Sequence, residues 1–171
     1  SYTPRELDYF VGDSAAKIFV CDPSEEAAVH DIAMRTGAHL TTLGADGLGS
    51  LTELAETQEP NFKAQPRSLN DLAALLYTSG TTGRSKGAML THENLLSNAK
   101  SLVEAWRFTR DDVLLHALPI FHTHGLFVAT NVMLLAGGAM IFLPKFDVET
   151  VMAQLPKATA MMGVPTFYTR L

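Results

Sequence analysis

The chain has 171 residues, enough for one domain with a sizeable core, and hydrophobic residues make up 47% of it against 18% charged residues. This composition indicates a globular protein and excludes a disordered one. The net charge of −5, without a block of basic residues, argues against nucleic acid as a partner.

The first third of the chain alternates signals for helices and strands. Thr3-Pro4-Arg5-Glu6 has the pattern of a capping box with proline at the first helical position, and it predicts a helix that ends near Gly12 and Asp13. Asp22-Pro23 repeats this start signal for a second helix, which is expected to end at Gly37. Two short apolar runs predict strands, and they are residues 17–21 and 38–43.

Cys21 is the only cysteine, so the chain cannot form an internal disulfide. Its place in an apolar run favours a buried, inert thiol over a reactive one. A free thiol is typical of a reducing compartment, and no signal peptide is recognisable at the start of the sequence. We therefore expect a cytoplasmic protein.

Residues 44–71 are polar and are interrupted by three glycines and two prolines. One short helix, from about Leu51 to Glu56, is predicted within them. Because neither flanking part would form a complete core alone, we interpret this stretch as a surface excursion and not as a domain boundary.

A loop rich in glycine and hydroxyl groups, residues 78–87, follows the apolar run Leu72–Tyr77, which predicts a buried strand. Glycines let backbone N–H groups turn inward and form an anion-binding concavity. Hydroxyl groups add donors, and Lys86 adds a positive charge suited to phosphate. The loop therefore predicts a phosphate site, although its spacing is not that of a Walker A motif. The alternative is a solvated linker, which seldom lies between a buried strand and a strong helix.

An amphipathic pattern begins after Thr91 and predicts a long helix. Its apolar side chains have the spacing i, i+1, i+4, i+7, i+8 and i+11 on one face. These side chains are Leu95, Leu96, Ala99, Leu102, Val103 and Trp106. We interpret the whole face as core, so Trp106 is expected to be buried rather than to stack on a cofactor.

Strand and helix signals alternate through the rest of the chain. Apolar runs predict strands at residues 113–118, 139–143 and 158–162. Helical patterns occur at residues 125–136, after Asp147 and from Phe167 onward. Several of the strands are apolar on both faces, which indicates an α/β fold with a mostly parallel sheet and helices on both sides.

The apolar stretch Leu126–Leu143 has 18 residues without a charge, which is long enough to raise the question of a membrane span. It also contains Thr130, Asn131 and the pair Gly137-Gly138. We interpret it as a buried helix, a glycine break and a buried strand, and we expect no membrane association.

Three loops follow predicted strands, at residues 78–87, 119–125 and 163–166. Ligands in open α/β sheets bind beyond the carboxyl ends of strands, so the loops are expected to converge on one edge. The second loop contains His122 and His124. Residues two apart face the same way in a strand, so these imidazoles would suit a metal pair; ordinary packed histidines are the other interpretation.

Two stretches of this sequence resemble the acyl-adenylate-forming superfamily, which includes acyl-CoA synthetases, aryl-CoA ligases, luciferases and peptide-synthetase adenylation domains. They are residues 77–95, YTSGTTGRSKGAMLTHENL, and residues 118–126, LPIFHTHGL. With residues 142–147 and 161–167, they look most like malonyl-CoA synthetases. The broader similarity runs from about Thr3 to Leu171, and residues 72–171 carry the specific motifs.

The resemblance implies an ATP-dependent, AMP-forming acid–CoA ligase that uses coenzyme A as co-substrate and acts on a small carboxylic or dicarboxylic acid, with malonate or methylmalonate as the expected substrate. It implies that the β- and γ-phosphates of ATP contact Thr78, Ser79, Gly80, Thr81, Thr82, Gly83 and Lys86. Thr78 would also contact Mg²⁺. His122 would be the catalytic residue beside the reacting carboxylate. The acid would contact His122, Thr123, His124, Gly163, Val164 and Pro165. Many relatives have an apolar residue where Thr123 stands, so its hydroxyl suits a polar acyl tail.

Several motifs of that superfamily do not occur in this sequence: the Tyr-Gly-x-Thr-Glu stretch, the aspartate that holds the ribose and the C-terminal lysine. We therefore expect residues 1–171 to be a single α/β segment of the large N-terminal domain, with the C-terminal domain absent. The segment alone is expected to be inactive and to self-associate. Two alternatives stay open: another nucleotide-dependent enzyme, such as a kinase with an atypical phosphate loop, or a folding unit with no activity of its own.

Overall fold

A computed structural model describes residues 2–78 and 85–171, and the chain divides into two compact units. The first unit comprises residues 1–66 and 75–88, and the second comprises residues 67–74 and 89–171. The first division falls after Pro66, inside the stretch that the sequence analysis interprets as a surface excursion. Two statements therefore stay predictions: that residues 1–171 form a single segment of a larger domain, and that residues 44–71 are a surface excursion.

The first unit opens with helix α1, Pro4–Asp13, at the predicted capping box. The Thr3 hydroxyl accepts the Glu6 N–H at 3.3 Å, and the Glu6 carboxylate accepts the Thr3 N–H at 2.8 Å. These two bonds satisfy backbone groups that the helix itself leaves unpaired. Helix α1 therefore confirms the sequence prediction, and it buries Val11.

A parallel pair of strands forms the sheet of the first unit. Strand β1, Ile18–Cys21, is followed by a 3₁₀ turn and helix α2, Glu26–Thr36, and then by strand β2, His39–Thr42. Ile18 pairs with His39. Helix α2 buries Val29, Ile32 and Ala33, and it ends where Gly37 adopts a left-handed conformation. Helix α3, Ser50–Glu56, is the short helix predicted within residues 44–71.

Cys21 is half-buried at the end of β1. Burial raises the pKa of its thiol, and the neighbouring carboxylates Glu26, Asp22 and Glu25 raise it further. A raised pKa keeps the sulfur in its poorly nucleophilic thiol form, which agrees with the expected inert role.

Strands β3, Leu72–Thr78, and β4, Lys86–Thr91, form a two-stranded sheet. The sequence analysis predicts β3 but not β4, because it extends the loop to Gly87 and passes directly to the next helix. The predicted burial of β3 is also wrong: its ends are exposed and its middle is half-buried. In the described residues β4 is its one sheet partner, so only part of its surface is covered.

The second unit contains the remaining elements. Helix α4, His92–Trp106, begins at a capping box between Thr91 and Asn94. The later elements are β5 (Val113–His116), a π-helix (His124–Thr130), α5 (Asn131–Ala136), β6 (Ala139–Phe142), α6 (Val148–Gln154), β7 (Ala160–Met162) and α7 (Pro165–Tyr168). Strands β6, β5 and β7 form a parallel sheet in that order.

The core of the second unit lies on both faces of β5, as a doubly covered strand requires. Leu114 packs in a cluster with Leu118, Ala129, Val132, Met133 and Met162. Leu115, the next residue, packs in a second cluster with Ala117, Leu143 and Val151. The predicted α/β class with parallel strands and helices on both faces is confirmed, although the described strands belong to three sheets rather than one.

Asp112 connects the starts of β5 and β7. Its carboxylate accepts the Thr109 N–H at 2.7 Å and the Thr159 hydroxyl at 2.8 Å. These bonds stabilise the charged form, so they lower the pKa of Asp112, the Thr109 N–H most strongly. Asp112 therefore links the amino-terminal ends of β5 and β7.

The second unit corrects two further predictions and confirms a third. Trp106 is 47% exposed, so it is not the core residue that the helical stripe predicts. Helix α7 begins at Pro165 and ends at Tyr168 instead of continuing from Phe167 to Leu171. Residues 126–143 form helix, glycine break and strand as predicted, and no helix in the described ranges is long and apolar enough to cross a membrane.

Candidate active site

The predicted phosphate residues lie in the first unit. Thr78 is the last residue of β3 and Lys86 is the first residue of β4, and both are exposed. The other predicted phosphate contacts lie outside the described residues; they are Ser79, Gly80, Thr81, Thr82 and Gly83. The structure therefore describes a hydroxyl and an ammonium group at the two flanks of the predicted loop.

A cleft of about 500 Å³ lies in the second unit beside the ends of β5 and β7. Its wall combines His124, which follows β5, with Gly163, which follows β7. Its other lining residues are Trp106, Phe108, Met161, Met162 and Tyr168. The two predicted loops of this unit therefore meet at one edge of the sheet, as the parallel pairing of His116 with Met162 requires.

His122 and Thr123 are exposed and lie at the entry to the π-helix. The Thr123 backbone is already helical, with φ −49° and ψ −42°, and the His122 ring packs on Phe121 at 4.7 Å between centroids. Because β5 ends at His116, the strand geometry assumed for a His122–His124 metal pair is wrong. The described parts of the chain contain no group of three or more His, Cys, Asp or Glu residues that could hold a metal ion.

A buried hydrogen-bond cluster holds the start of the π-helix. The His116 side chain is 1% exposed, and its Nε2 lies 2.9 Å from the Gly125 carbonyl oxygen. A carbonyl only accepts, so Nε2 carries a hydrogen and donates it. The Thr130 hydroxyl donates to the same oxygen at 2.9 Å. The His116 ring stacks on Phe142 at 4.4 Å.

Gly125 is required at this position by the space available. A Cβ atom there would overlap the Pro119 carbonyl oxygen and lie 2.9 Å from the Pro119 carbonyl carbon. The backbone of the 119–125 loop therefore crosses itself closely just before the π-helix. This close crossing places His124 at the wall of the cleft.

The predicted residues that follow β7 lie across the cleft from the loop that contains His124. A Cβ atom at Gly163 would lie 3.0 Å from the ring of Phe167, so glycine lets that ring pack against the loop. Val164 is the N-cap of α7 and Pro165 is its first residue, and both are exposed. Gly163 thus lines the cleft, whereas Val164 and Pro165 lead away into α7.

Two residues with a clear place at this edge were missed by the sequence analysis: His116 and Trp106. His116 is the one polar side chain in the apolar run from Val113 to Leu118, and a polar group in such a run signals a buried hydrogen bond. Trp106 was assigned to the core by its helical spacing, but it is the last residue of α4 and lines the cleft with Phe108.

The cleft has the mixed lining of a small-molecule site. Aromatic and thioether side chains give the cleft apolar walls, and the imidazole of His124 supplies a polar group. The flanks of the phosphate loop supply a cation and a hydroxyl, which are groups that bind phosphate oxygens. The described residues therefore offer a largely apolar cleft in the second unit and groups suited to phosphate in the first.

Comparison with known proteins gives one family and a consistent set of relatives. The family model described as AMP-binding enzyme matches residues 1–171. The crystal structure of ATP-bound MatB from Rhodopseudomonas palustris is 60% identical, with a TM-score of 0.95, and the match covers 100% of this chain and 34% of that one. The malonate–CoA ligase of Arabidopsis thaliana is 34% identical over 185 residues, which cover 100% of this chain and 30% of that protein.

A third relative is a malonyl-CoA ligase solved as a ternary product complex with methylmalonyl-CoA and AMP bound. It is 30% identical, with a TM-score of 0.75, and the match covers 98% of this chain and 33% of that one. The chain thus spans about a third of the length of these relatives.

Proposed function

Because this chain belongs to the AMP-binding enzyme family, we propose that it is part of an ATP-dependent, AMP-forming acid–CoA ligase acting on malonate or methylmalonate. The observation that carries the proposal is the 60% identity to MatB along the whole chain at a TM-score of 0.95. The substrates follow from the malonate–CoA ligase and the methylmalonyl-CoA complex among the relatives.

The proposed reaction has two steps. A carboxylate oxygen of the acid attacks the α-phosphorus of ATP, the bond to the bridging oxygen breaks, and pyrophosphate leaves with that electron pair. The thiolate of coenzyme A then attacks the acyl carbon of the adenylate, and AMP leaves. Both steps move negative charge, so fixed cations and hydrogen-bond donors provide the catalysis.

On the phosphate side, Lys86 places its ammonium group against the β- and γ-phosphates, where it offsets the charge that develops on the leaving pyrophosphate. The Thr78 hydroxyl donates to a phosphate oxygen. Both residues are exposed at the ends of their strands, so a nucleotide can reach them.

Magnesium, which the family implies, would be held only in part by the described residues. Mg²⁺ in nucleotide sites takes one or two carboxylates in addition to phosphate oxygens. Thr78 would offer one hydroxyl to the ion, and the bound ion would neutralise charge on the phosphates.

On the acid side, we assign the contact with the reacting carboxylate to His122, which is exposed where the chain enters the π-helix. The nearby residue His124 lines the cleft with Gly163 and is proposed to face the acid. Val164 and Pro165 are proposed to border the far end of the acid.

The product nucleotide tests this function. The full-length protein, given ATP, Mg²⁺, malonate and coenzyme A, is expected to release AMP and malonyl-CoA in equal amounts. Release of ADP would support the alternative, a kinase-like nucleotide enzyme, and would overturn the proposal. Omitting coenzyme A should leave a slow, malonate-dependent exchange of pyrophosphate into ATP, which is specific to an adenylate intermediate.

The Thr123 hydroxyl is expected to favour dicarboxylic acids. Thr123→Val removes the hydroxyl at similar volume, and Thr123 is exposed, so the fold should tolerate the change. We expect the ratio of kcat/KM for malonate to that for butyrate to fall about two- to tenfold, the value of one hydrogen bond. Thr57→Val, an exposed threonine at the end of α3, is the matched control. An unchanged ratio would show that Thr123 does not contact the distal carboxylate.

The isolated chain is expected to release no AMP above background. Groups of an active site act together, so a part of the set does not give a proportionate part of the rate. Large apolar side chains are exposed on it, including Phe62 at 84%, Phe121 at 81% and Leu134 at 67%. Such surfaces favour association, so light scattering should report assemblies larger than a monomer. Turnover near that of the full-length enzyme, or a strictly monomeric chain, would contradict the respective expectation.

The cytoplasmic location expected from the sequence remains part of the proposal. One group of relatives carries the description mitochondrial, and the Arabidopsis relative carries none. Fluorescence of the tagged full-length protein in its own cells would decide the compartment.

A further inference from the structure

Helix α1 contacts both flanks of the predicted phosphate loop. Tyr77, the residue before Thr78, donates its hydroxyl hydrogen to the Asp13 carboxylate at 2.7 Å. Tyr9 donates its hydroxyl hydrogen to the carbonyl oxygen of Ser85, the residue before Lys86, at 3.1 Å. Tyr9 and Asp13 are four residues apart on α1 and so lie on the same face of the helix.

Aromatic packing holds the Tyr77 ring against the same helix. Its centroid lies 4.5 Å from that of Phe10 and 5.8 Å from that of Tyr9, the latter in an edge-to-face arrangement. On its other side the ring meets β4 at Gly87, where a Cβ atom would lie 3.3 Å from it. Glycine at this position therefore lets the ring fit between the helix and the strand.

The Tyr77 hydroxyl remains a hydrogen-bond donor at any physiological pH. Burial, followed by the hydrogen bond to Asp13, raises the pKa of Tyr77 to about 12. The phenol is therefore protonated throughout the range in which an enzyme works, and its contact with Asp13 does not switch with pH.

We propose that α1, through Tyr9, Phe10 and Asp13, positions Thr78 and Lys86, the two described flanks of the nucleotide-binding loop, by fixing the backbone directly beside them. This inference rests on the proposed function, because it assumes that those two residues contact the phosphates of ATP. The three residues of α1 are positioning residues and do not contact the nucleotide. Their effect is geometric: they fix where the Thr78 hydroxyl and the Lys86 ammonium group stand, so losing a contact is expected to weaken the binding of ATP.

The test compares KM values in the full-length enzyme. Tyr77→Phe deletes one oxygen and keeps the ring, and Tyr9→Phe does the same at the other flank. We expect each variant to raise KM for ATP about two- to tenfold, the range for one lost hydrogen bond, and to leave KM for malonate unchanged. Tyr2→Phe is the matched control, because Tyr2 is 61% exposed beside Phe10 and its ring contact is kept.

Three further variants identify the bond itself. Asp13→Ala should match Tyr77→Phe, and the double variant should be no worse than either, because both remove the same contact. Asp13→Asn keeps an oxygen that can accept from Tyr77, so it should restore most of the affinity for ATP. If Asp13→Ala fails to fold, the comparison of KM for ATP between Tyr77→Phe and Asp13→Asn still tests the contact.

The outcomes separate this inference from the proposed function. If the wild-type enzyme releases AMP and Tyr77→Phe leaves KM for ATP unchanged, the positioning role is overturned and the function stands. Equal increases in the KM values for ATP and malonate would indicate general loosening of the fold and would also overturn it. If the wild-type enzyme releases no AMP, the proposed function fails and the inference fails with it.

Discussion

Lys86→Ala in the full-length enzyme is expected to reduce the rate of AMP release about 10- to 100-fold while the fold stays intact. Lys86 is exposed at the start of β4, so its removal leaves no buried group unpaired. The loss is that of a charged contact with phosphate, roughly 1.5–3 kcal/mol. Steady-state AMP release and the thermal unfolding midpoint, measured together, check both parts of the expectation.

Lys63→Ala is the matched control for this change. Lys63 is an exposed lysine in the polar stretch between α3 and β3, so its removal changes net charge equally and should leave the rate unaffected. Wild-type kinetics in the Lys86→Ala enzyme would contradict the proposed contact between Lys86 and the phosphates. The membership of the family would not be affected.

Gly125→Ala is expected to destabilise the second unit by about 3 kcal/mol, at the upper end of the range for adding a methyl group to a packed site. The new Cβ would meet the backbone of Pro119 rather than a flexible side chain, so relief requires the loop itself to move. Moving Gly125 would also strain the bonds that its carbonyl accepts from His116 and Thr130. A lowered thermal midpoint and faster amide exchange at residues 122–126 would report this change.

Gly12→Ala serves as the control for adding a methyl group at a glycine. A Cβ atom at Gly12 would meet its nearest neighbour, Thr36 Cγ2, at 3.8 Å, which is an ordinary contact. It lies inside a helix, where alanine is favoured over glycine. Equal midpoints for Gly125→Ala and the wild-type protein would contradict the close crossing at Pro119.

The starts and ends of several helices were predictable because their sequence signals are local. Thr3 and Thr91 each form a capping box over four residues, and Gly37 ends α2 in the left-handed conformation that glycine readily adopts. The alternation of strands and helices likewise indicated the α/β class. These features depend on neighbouring residues, so a single sequence contains them.

The errors concern features that depend on distant parts of the chain. Strand β4 contains Gly87 and lacks a clear alternation, and the sequence pattern does not reveal its partner β3. Trp106 lies on the apolar face that the helical spacing predicts, but it is the last residue of α4. The spacing alone does not show whether the core reaches the end of the helix. The π-helix rests on the bond between His116 and Gly125, which a local pattern cannot predict.

The candidate site was predictable in outline only through its motifs. His124 and Gly163 were expected at one edge of a parallel sheet, and they line one cleft. The roles of Thr78, Lys86, His122 and Thr123 remain predictions, since they depend on where a nucleotide and an acid bind. The aromatic wall formed by Trp106 and Phe108 required the folded chain, because these residues precede β5 and meet the cleft only in three dimensions.

The parallel order β6–β5–β7 also has a consequence during synthesis on the ribosome. Val113 pairs with Ala139 and Leu114 pairs with Ala160, so β5 emerges long before either of its partners. Closing such distant contacts costs chain entropy before any hydrogen bond is gained. The apolar run Val113–Leu118 therefore stays unpaired in the nascent chain until β6 has left the exit tunnel, and its second edge stays open until β7 has followed. A chaperone that binds short hydrophobic segments would find its target there, and a translational pause placed after β7 would shorten the exposure.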